Sequence, residues 1–345
     1  MLIDMHHHYI PDRYLELVRR DGERWQAVFY HDEARGKDSV VPGMTVPPPV
    51  DALARGIFWM EPGMHDVPTR LEEMTTLGID MAALSISPLL YYYFAEPELG
   101  EEVCQLLNDE IHAVAQSEPE RFAPMGTVPL QDVGRAIVEM ERVVREYGFT
   151  AVEIGGSVEG RHYDEPEFEP FFRRAAELDL LIFIHPGINP MPERLQRYHT
   201  GNVIGFPVES GVCAAALIYG GILARYPNLK ICFAHGGGIV PGLIGRWDHG
   251  WEVRAESQQR IDRPPSAYFQ QLYFDNLVHS DAVLGALLSI AAPEQVVVGT
   301  DYPYDMGERQ PGAVLERAEA AGRLTPAQRE AVSYRTAARL LRIPV

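Results

Sequence analysis

Eight short apolar runs rich in β-forming residues alternate with helical patterns along nearly the whole chain. The runs are Leu2–His8, Met81–Ser87, Phe122–Val128, Ala151–Gly155, Leu180–His185, Lys230–His235, Leu272–Asp275 and Val296–Asp301. Strands that alternate with helices form parallel βαβ units, and eight such units close into a barrel. The pattern therefore predicts an α/β fold, a (β/α)8 barrel of the TIM type, and the 345 residues suit one domain over 1–345.

The segment 21–68 breaks this rhythm. It contains the proline-rich stretch P-G-M-T-V-P-P-P-V and few helical periods. We interpret it as an insertion after the first strand rather than as a separate domain. Because loops after barrel strands lie at the catalytic face, we expect this insertion at the catalytic mouth.

Composition and charge argue against several classes of protein. Thirty basic and 49 acidic side chains give a formal net charge of -19, which disfavours binding to nucleic acid. No apolar run approaches the ~20 residues of a membrane span, and no signal segment is recognised before the first strand. Cys104, Cys213 and Cys232 lie in apolar stretches and are predicted to be reduced core thiols. We therefore expect a cytoplasmic protein that binds neither nucleic acid nor membranes.

Imidazoles and a carboxylate stand at the ends of four predicted strands. The first strand ends in H-x-H, so His6 and His8 face the same way; the fifth ends at His185, the sixth at His235 and the eighth at Asp301. Catalytic groups of barrel enzymes come from the ends of different strands. Imidazole and carboxylate ligands suit zinc or a similar first-row dication, and three histidines with one aspartate leave a position open. The sequence therefore predicts a catalytic metal site.

Each of these features has a plainer alternative. The H-H-H run could come from a cloning tag, although it continues an apolar strand and stops at a proline. A single histidine is more often an ordinary core or surface residue. The G-G-G after the sixth strand could be a plain strand-to-helix turn as well as a tight turn beside a ligand. Chance is a poor explanation for four histidines and a carboxylate at four strand ends, so we favour the metal site.

The chain resembles the amidohydrolase superfamily in a set of ordered motifs. These are D-M-H-H-H-Y-I-P, F-I-H-P-G, L-K-I-C-F-A-H-G-G-G with G-R-W-D, R-P-P-S-A-Y-F and V-V-V-G-T-D-Y-P-Y. Within the superfamily they resemble the metal-dependent decarboxylases typified by 2-amino-3-carboxymuconate 6-semialdehyde decarboxylase. The resemblance implies one zinc, or another first-row divalent ion, per chain, held by His6, His8, His185 and Asp301.

The resemblance also implies roles for other residues. The sixth-strand histidine, His235, is the family's acid–base residue. From the chemistry of the site itself, His235 is also the first candidate for managing the proton, and Asp301 is the second. The arginine of G-R-x-D, Arg246, is expected to reach the substrate carboxylate across a homodimer interface. The family's basic residues in the early insertion have no clean equivalent here, and Arg55 could replace them or could be a surface charge.

Two further patterns concern the pocket and the assembly. Asn276 and Asp275 end the seventh strand, and each could contact substrate or support a ligand from behind. Trp247 and Trp251 lie four residues apart on the predicted Arg246 helix, which favours a homodimer or a dimer-based oligomer there, with packing inside the chain as the alternative.

The predicted function is metal-dependent, non-oxidative decarboxylation of a small unsaturated or aromatic carboxylate, and the chain is predicted to be a carbon–carbon lyase. Hydrolysis or hydration at the same metal centre is the alternative, because the superfamily's fold and ligands also serve those reactions. A silent barrel used for binding is disfavoured because every expected metal ligand is present.

Overall fold

Eight parallel strands form the closed barrel of the computed structural model, which describes residues 1–33, 36–44, 59–187 and 190–345. The barrel strands are Ile3–Tyr9, Met81–Ile86, Phe122–Pro124 continued by Gly126–Thr127, Ala151–Ile154, Leu181–Ile184, Lys230–Phe233, Leu272–Asp275 and Val296–Val297. Every ladder between neighbouring barrel strands is parallel. The predicted (β/α)8 barrel is confirmed.

The first strand closes the barrel by pairing on both of its edges. On one edge it runs parallel to Met81–Ile86. On the other edge, Asp4 forms a parallel bridge with Val298 and His7 forms one with Tyr302. We call this second edge the closing seam. It places the first-strand histidines beside the residues that follow the eighth strand.

Alternate residues of the strands pack into two apolar layers. In the fifth strand, Leu181 and Phe183 belong to a cluster inside the barrel, whereas Ile182 and Ile184 pack outward against the helices. This alternation follows from the two-residue period of a strand. The final helix, Thr336–Leu341, adds apolar side chains to the inner cluster. The inner cluster therefore fills the interior of the barrel with apolar side chains.

Helices cover the outside of the barrel, as the alternating pattern predicts. Their bounds are Asp12–Arg20, Val67–Leu77, Pro97–Ser117, Val133–Tyr147, Glu169–Glu177, Phe206–Tyr219, Ile222–Arg225, Val240–Val253, Ser266–Phe269, Asp281–Ile290, Pro311–Ala320, Pro326–Glu330 and Thr336–Leu341. The helix Val67–Leu77 shows how local sequence sets such bounds. The Asp66 side chain accepts a hydrogen bond from Thr69 N at 2.8 Å, and Gly78 ends the helix with φ 72°.

The helix after the fifth strand is unusually apolar. A π-helical turn, Gly201–Gly205, continues into Phe206–Tyr219, and together they are long and apolar enough to cross a membrane by length and composition. Cys213, Leu217 and Ile218 are buried in the core. That packing is typical of a core helix in a barrel.

The described part of 21–68 contains an antiparallel hairpin, Ala27–Asp32 paired with Lys37–Pro42, and a 3-10 turn, Pro62–Met64. The second hairpin strand lines a cavity of about 240 Å³ together with Gly155 and Gly187, which follow the fourth and fifth barrel strands. This position supports the expected insertion at the catalytic mouth, and the domain assignment itself stays a prediction.

Candidate metal centre

Four buried side chains converge at the C-terminal end of the barrel. His6, His8, His185 and Asp301 each offer one donor atom, and these atoms all lie within 4.8 Å of one another. His6 Nε2 and His8 Nε2 are 2.9 Å apart. Asp301 Oδ1 is 3.2 Å from the first of these nitrogens and 3.1 Å from the second. The structure thus brings together the four residues that the sequence predicts as ligands.

A β-bulge in the first strand turns both histidines inward. Asp4 pairs with Ala82 but His7 pairs with Leu84, so three steps on the first strand match two on its neighbour. Met5 belongs to the inner apolar cluster, and the ring of the very next residue, His6, also faces inward, 5.4 Å from Phe183. Simple alternation would place neighbours on opposite faces, so the extra residue is what permits this arrangement.

Asp4 stabilises the bulge and the closing seam together. Its Oδ1 accepts hydrogen bonds from His6 N and Thr300 N, both at 3.0 Å. Its Oδ2 accepts from His7 Nδ1 at 2.8 Å and from Thr300 Oγ1 at 2.5 Å. Asp4 is fully buried, so this one carboxylate fixes the backbone on both sides of the seam.

Hydrogen bonds on the far side of each imidazole leave three lone pairs facing the centre. His6 Nδ1 donates to Asp275 Oδ2 at 2.7 Å. The Nδ1 atoms of His8 and His185 each lie 2.9 Å from a backbone carbonyl oxygen. Since an oxygen acceptor makes Nδ1 the protonated nitrogen, Nε2 of each neutral ring carries a lone pair.

These donor atoms fit a metal ion. The Nε2 atoms of His6 and His8 lie 2.9 Å apart, a separation at which the two nitrogens share either a proton or a cation. The buried His185 Nε2 and Asp301 Oδ1 find no hydrogen-bond partner in the described part of the chain. Unpaired buried polar atoms are costly, and one bound dication would satisfy all four. Three nitrogens and one oxygen are a donor set typical of zinc and other first-row dications.

Electrostatics also favour positive charge at this point. Burial acts to lower the pKa of His6, but Asp301 and Asp275 outweigh it and raise that pKa well above its ordinary value. Burial acts to raise the pKa of Asp301, yet the neighbouring histidines hold it well below its usual range. Burial, with the adjacent histidines, lowers the pKa of His185 well below its ordinary value. His185 is therefore neutral and ready to bind a metal.

His235 lies beside this cluster in a different environment. Its Nε2 is 3.6 Å from Asp301 Oδ2, and its ring centroid is 4.8 Å from that of His185. Its side chain is 19% exposed. Its backbone has φ 55°, followed by Gly236 and Gly237 at 61° and 74°, a path that favours glycine. His235 therefore borders the open side of the centre.

Asp275 supports both parts of the site from the seventh strand. Besides His6 Nδ1, its Oδ2 accepts from His235 N at 2.9 Å, and its Oδ1 accepts from Gly236 N at 2.8 Å. Asp275 is fully buried. The sequence left open whether Asp275 contacts substrate or supports a ligand, and the structure places it behind His6 as a support.

The three predicted substrate contacts lie in different situations. Asn276 is buried, and its Oδ1 accepts a hydrogen bond from Gly299 N at 3.1 Å. Arg246 is exposed on the helix Val240–Val253 and forms no hydrogen bond or ion pair with the described residues. Arg55 lies outside the described residues. These three roles stay predictions.

Sequence reasoning missed Glu153, a fully buried carboxylate on the fourth strand. Its Oε1 accepts from Tyr91 Oη at 2.8 Å, and its Oε2 lies 4.0 Å from His8 Nδ1. Tyr91 also contacts the backbone oxygen of His185 at 3.3 Å. A charged residue inside the apolar run A-V-E-I-G was the available signal.

A cavity of about 310 Å³ opens beside His235 and Asp301. Apolar walls from Phe206, Pro207 and Met306 face it, and few polar groups reach it. Such a mix is typical of a small-molecule site.

Fold and site together define a class of protein. A (β/α)8 barrel that directs three imidazole lone pairs and a carboxylate to one point, beside an apolar cavity, has the architecture of a metal-dependent barrel enzyme.

Comparison with known proteins identifies the family. The amidohydrolase family matches residues 3–343, and the chain belongs to it. It is 31% identical to 2-amino-3-carboxymuconate-6-semialdehyde decarboxylase from Dictyostelium discoideum over 318 residues, which cover 91% of this chain and 85% of the relative. The predicted family is confirmed, and this relative is by name a carboxy-lyase.

Solved structures share the fold over nearly the whole chain. The crystal structure of 5-carboxyvanillate decarboxylase from Sphingomonas paucimobilis has a TM-score of 0.80 and 25% identity, with 99% of both chains covered. A dihydroxybenzoic acid decarboxylase from Polaromonas sp. JS666, with bound manganese and an inhibitor, has a TM-score of 0.76 and 20% identity over 99% of this chain and 97% of the other.

Proposed function

We propose that this protein is a metal-dependent decarboxylase, which removes a carboxyl group without oxidation from a small unsaturated or aromatic carboxylate. One observation carries the proposal: three imidazole lone pairs and the Asp301 carboxylate converge beside an apolar cavity that His235 borders. The reaction class agrees with the names of the relatives, which are decarboxylases.

The proposed cofactor is zinc or another first-row divalent ion, one per chain. His6, His8, His185 and Asp301 would hold it, because their donor atoms converge and two of these, His185 Nε2 and Asp301 Oδ1, have no hydrogen-bond partner in the described part of the chain. When bound, the ion supplies positive charge that stabilises the electron density on substrate oxygens as the carbon–carbon bond breaks.

His235 is the proposed acid–base residue. In decarboxylation the carbon–carbon bond breaks, CO2 leaves, and the electron pair that remains on carbon takes up a proton. His235 borders the cavity and has its Nε2 3.6 Å from Asp301 Oδ2, so it can hold that proton beside the bound substrate. Asp301 borders the same cavity and is the second candidate. Asp275 holds the His235 backbone and so fixes where the imidazole lies.

Substrate binding is proposed to combine apolar walls with basic and amide groups. Phe206, Pro207 and Met306 offer a surface for a planar ring and keep water from its face. Asn276 and Arg55 are proposed contacts within the chain. Arg246 is proposed to reach the substrate carboxylate of a neighbouring subunit, and its exposure and lack of a partner among the described residues fit that role.

A homodimer or a dimer-based oligomer is proposed on the same grounds. Trp247 and Trp251 are only partly accounted for by packing within the chain: both are half-buried against the core, and Trp247 O accepts from Tyr219 Oη at 3.0 Å. The remaining surface is free for a second copy. A cytoplasmic location also stays a proposal.

The test is product analysis with metal-loaded protein and a panel of carboxylates. The panel contains 2-amino-3-carboxymuconate-6-semialdehyde, 5-carboxyvanillate and 2,6-dihydroxybenzoate, with Asp301→Asn as the matched inactive variant. Release of CO2 by the wild type alone is the expected result. A product that has gained water, with no CO2, would instead favour a hydrolase or hydratase.

A further inference from the structure

A positively charged side chain is buried beside the backbone of the proposed ligand His8. Arg70, on the helix Val67–Leu77, is 0% exposed and forms no ion pair with the described residues. Its Nη2 donates to the backbone oxygen of His8 at 2.5 Å and, at a longer 3.4 Å, to that of Met64. Its strong hydrogen bond is therefore made to the backbone of a proposed ligand.

The same guanidinium lies between two tyrosine rings. Its central carbon is 5.3 Å from the Tyr9 ring centroid and 5.0 Å from that of Tyr302. Tyr9 follows His8 in the chain, and Tyr302 follows Asp301. One side chain therefore contacts the residue after each of two proposed ligands.

The closing seam joins those two ligand segments. Asp301 N donates to His6 O at 2.9 Å, and His8 N donates to Tyr302 O at 2.8 Å. The helix that carries Arg70 makes a second contact with the closing seam: Glu73 Oε2 accepts a hydrogen bond from Tyr302 Oη at 2.5 Å. The geometry of the ligands therefore depends on how this helix holds the seam.

Stability alone is a poor reason for a cation at this position. Burial lowers the pKa of Arg70 to about 10, and its Nε and Nη1 have no hydrogen-bond partner in the described part of the chain. Burying a charge without an ion pair costs free energy. The backbone of Asp301 has φ 57°, a strained conformation that persists only where its surroundings impose it, so the site does need a structural support.

We propose that Arg70 is a positioning residue for the metal centre: by binding the His8 carbonyl between Tyr9 and Tyr302, it holds the His8 and Asp301 segments in the register that their donor atoms need. The inference rests on the proposed metal site. It concerns residues that touch neither the ion nor the substrate.

Charge and geometry predict opposite effects of removing Arg70. A neighbouring positive charge repels a dication, so electrostatics alone would make a neutral variant bind the metal more tightly. A positioning role predicts weaker binding, because the donor atoms lose their alignment. The sign of the change therefore separates the two explanations.

The experiment compares Arg70→Met, Arg70→Lys and Arg121→Met. Arg121 is a matched control: it is half-buried and also binds backbone carbonyls, Asp80 O at 2.9 Å and Ile79 O at 3.0 Å, at the opposite end of the barrel. Co²⁺ affinity is measured by chelator competition, the visible spectrum of the Co²⁺ form reports ligand geometry, and thermal unfolding of the metal-free proteins reports stability.

Arg70→Met is expected to bind Co²⁺ roughly 10- to 100-fold more weakly with an altered spectrum, Arg70→Lys to lie between it and the wild type, and Arg121→Met to stay within about threefold. Unchanged or tighter binding by Arg70→Met, or an equal loss in Arg121→Met, would overturn the inference. If Arg70→Met does not fold, Arg70→Lys decides, and a wild-type spectrum and affinity would overturn it. A wild-type protein that binds no Co²⁺ would refute the metal centre itself.

Discussion

Individual side chains at this site divide into donors that face the centre and a histidine that faces the cavity. The side chains of His6, His8 and Asp301 are at most 9% exposed, whereas the His235 side chain is 19% exposed and its Nδ1 has no partner among the described residues. Loss of a donor should empty the site, but loss of a proton carrier should leave the metal bound.

His235→Ala is therefore expected to retain its metal while turnover falls by roughly 100-fold or more, the usual contribution of general acid–base catalysis. Metal analysis and CO2 release measure the two quantities separately. His162→Ala is the control, because His162 is exposed and does not line the cavity. Loss of metal from His235→Ala would show that His235 is a ligand. Full activity of the variant would show that Asp301 or solvent supplies the proton.

Asp275→Asn should weaken metal binding by roughly 10- to 100-fold, the usual effect of losing a group that orients a ligand. The carboxylate accepts from His6 Nδ1 and His235 N on one oxygen and from Gly236 N on the other. The Asn side chain has a single accepting oxygen, and its NH2 group donates, so it cannot replace all three hydrogen bonds. Isothermal titration with Zn²⁺ gives the affinity. An affinity equal to the wild type would mean that the His6 ring is held by packing alone.

At the scale of elements, the bulge in the first strand determines which side chains enter the barrel. Asp4→Ala would remove the acceptor for the backbone amides of His6 and Thr300 in a fully buried position. We expect a loss of about 3 kcal/mol or more in the free energy of unfolding of the metal-free protein. Denaturant titration measures it, and exposed Asp80→Ala, which loses a bond from Leu2 N, should cost no more than about 1 kcal/mol. Equal costs would show that Asp4 does not support the bulge.

The barrel elements could be predicted from sequence, since eight apolar runs alternate with helical patterns and each barrel strand overlaps its predicted run. The proposed ligands could be located because strand ends of a parallel barrel meet at one face. The bulge could not be predicted, because it depends on the register between Asp4 and a strand nearly eighty residues away. Arg70 could not be recognised because its partner, the His8 carbonyl, is 62 residues away and nothing local marks its charge as buried. Glu153 did have a local signal, a charge inside an apolar strand, but its partner Tyr91 is also 62 residues away.

For the assembled molecule, mixed dimers test whether Arg246 of one subunit completes the site of another. Arg246→Ala and His235→Ala are each expected to be nearly inactive, but co-expressed subunits should regain about a quarter of wild-type activity. Half of the statistical dimers are mixed, and each mixed dimer has one intact site. Recovery is measured as CO2 release from purified mixtures.

If mixed dimers recover no activity, Arg246 contacts the substrate of its own subunit or contacts no substrate. Light scattering supplies an independent check: only a 38.7 kDa species at micromolar concentration would exclude any role across an interface.

The closing seam has a consequence for how the protein is made. Asp4 and Thr300, which it joins, are 296 residues apart in the chain. During synthesis the first-strand histidines leave the ribosome long before Asp301 exists, so the proposed donor set is complete only after the eighth strand has been made. Metal capture at the proposed site would then be among the last events of maturation, and the ion would stabilise a barrel that is already closed.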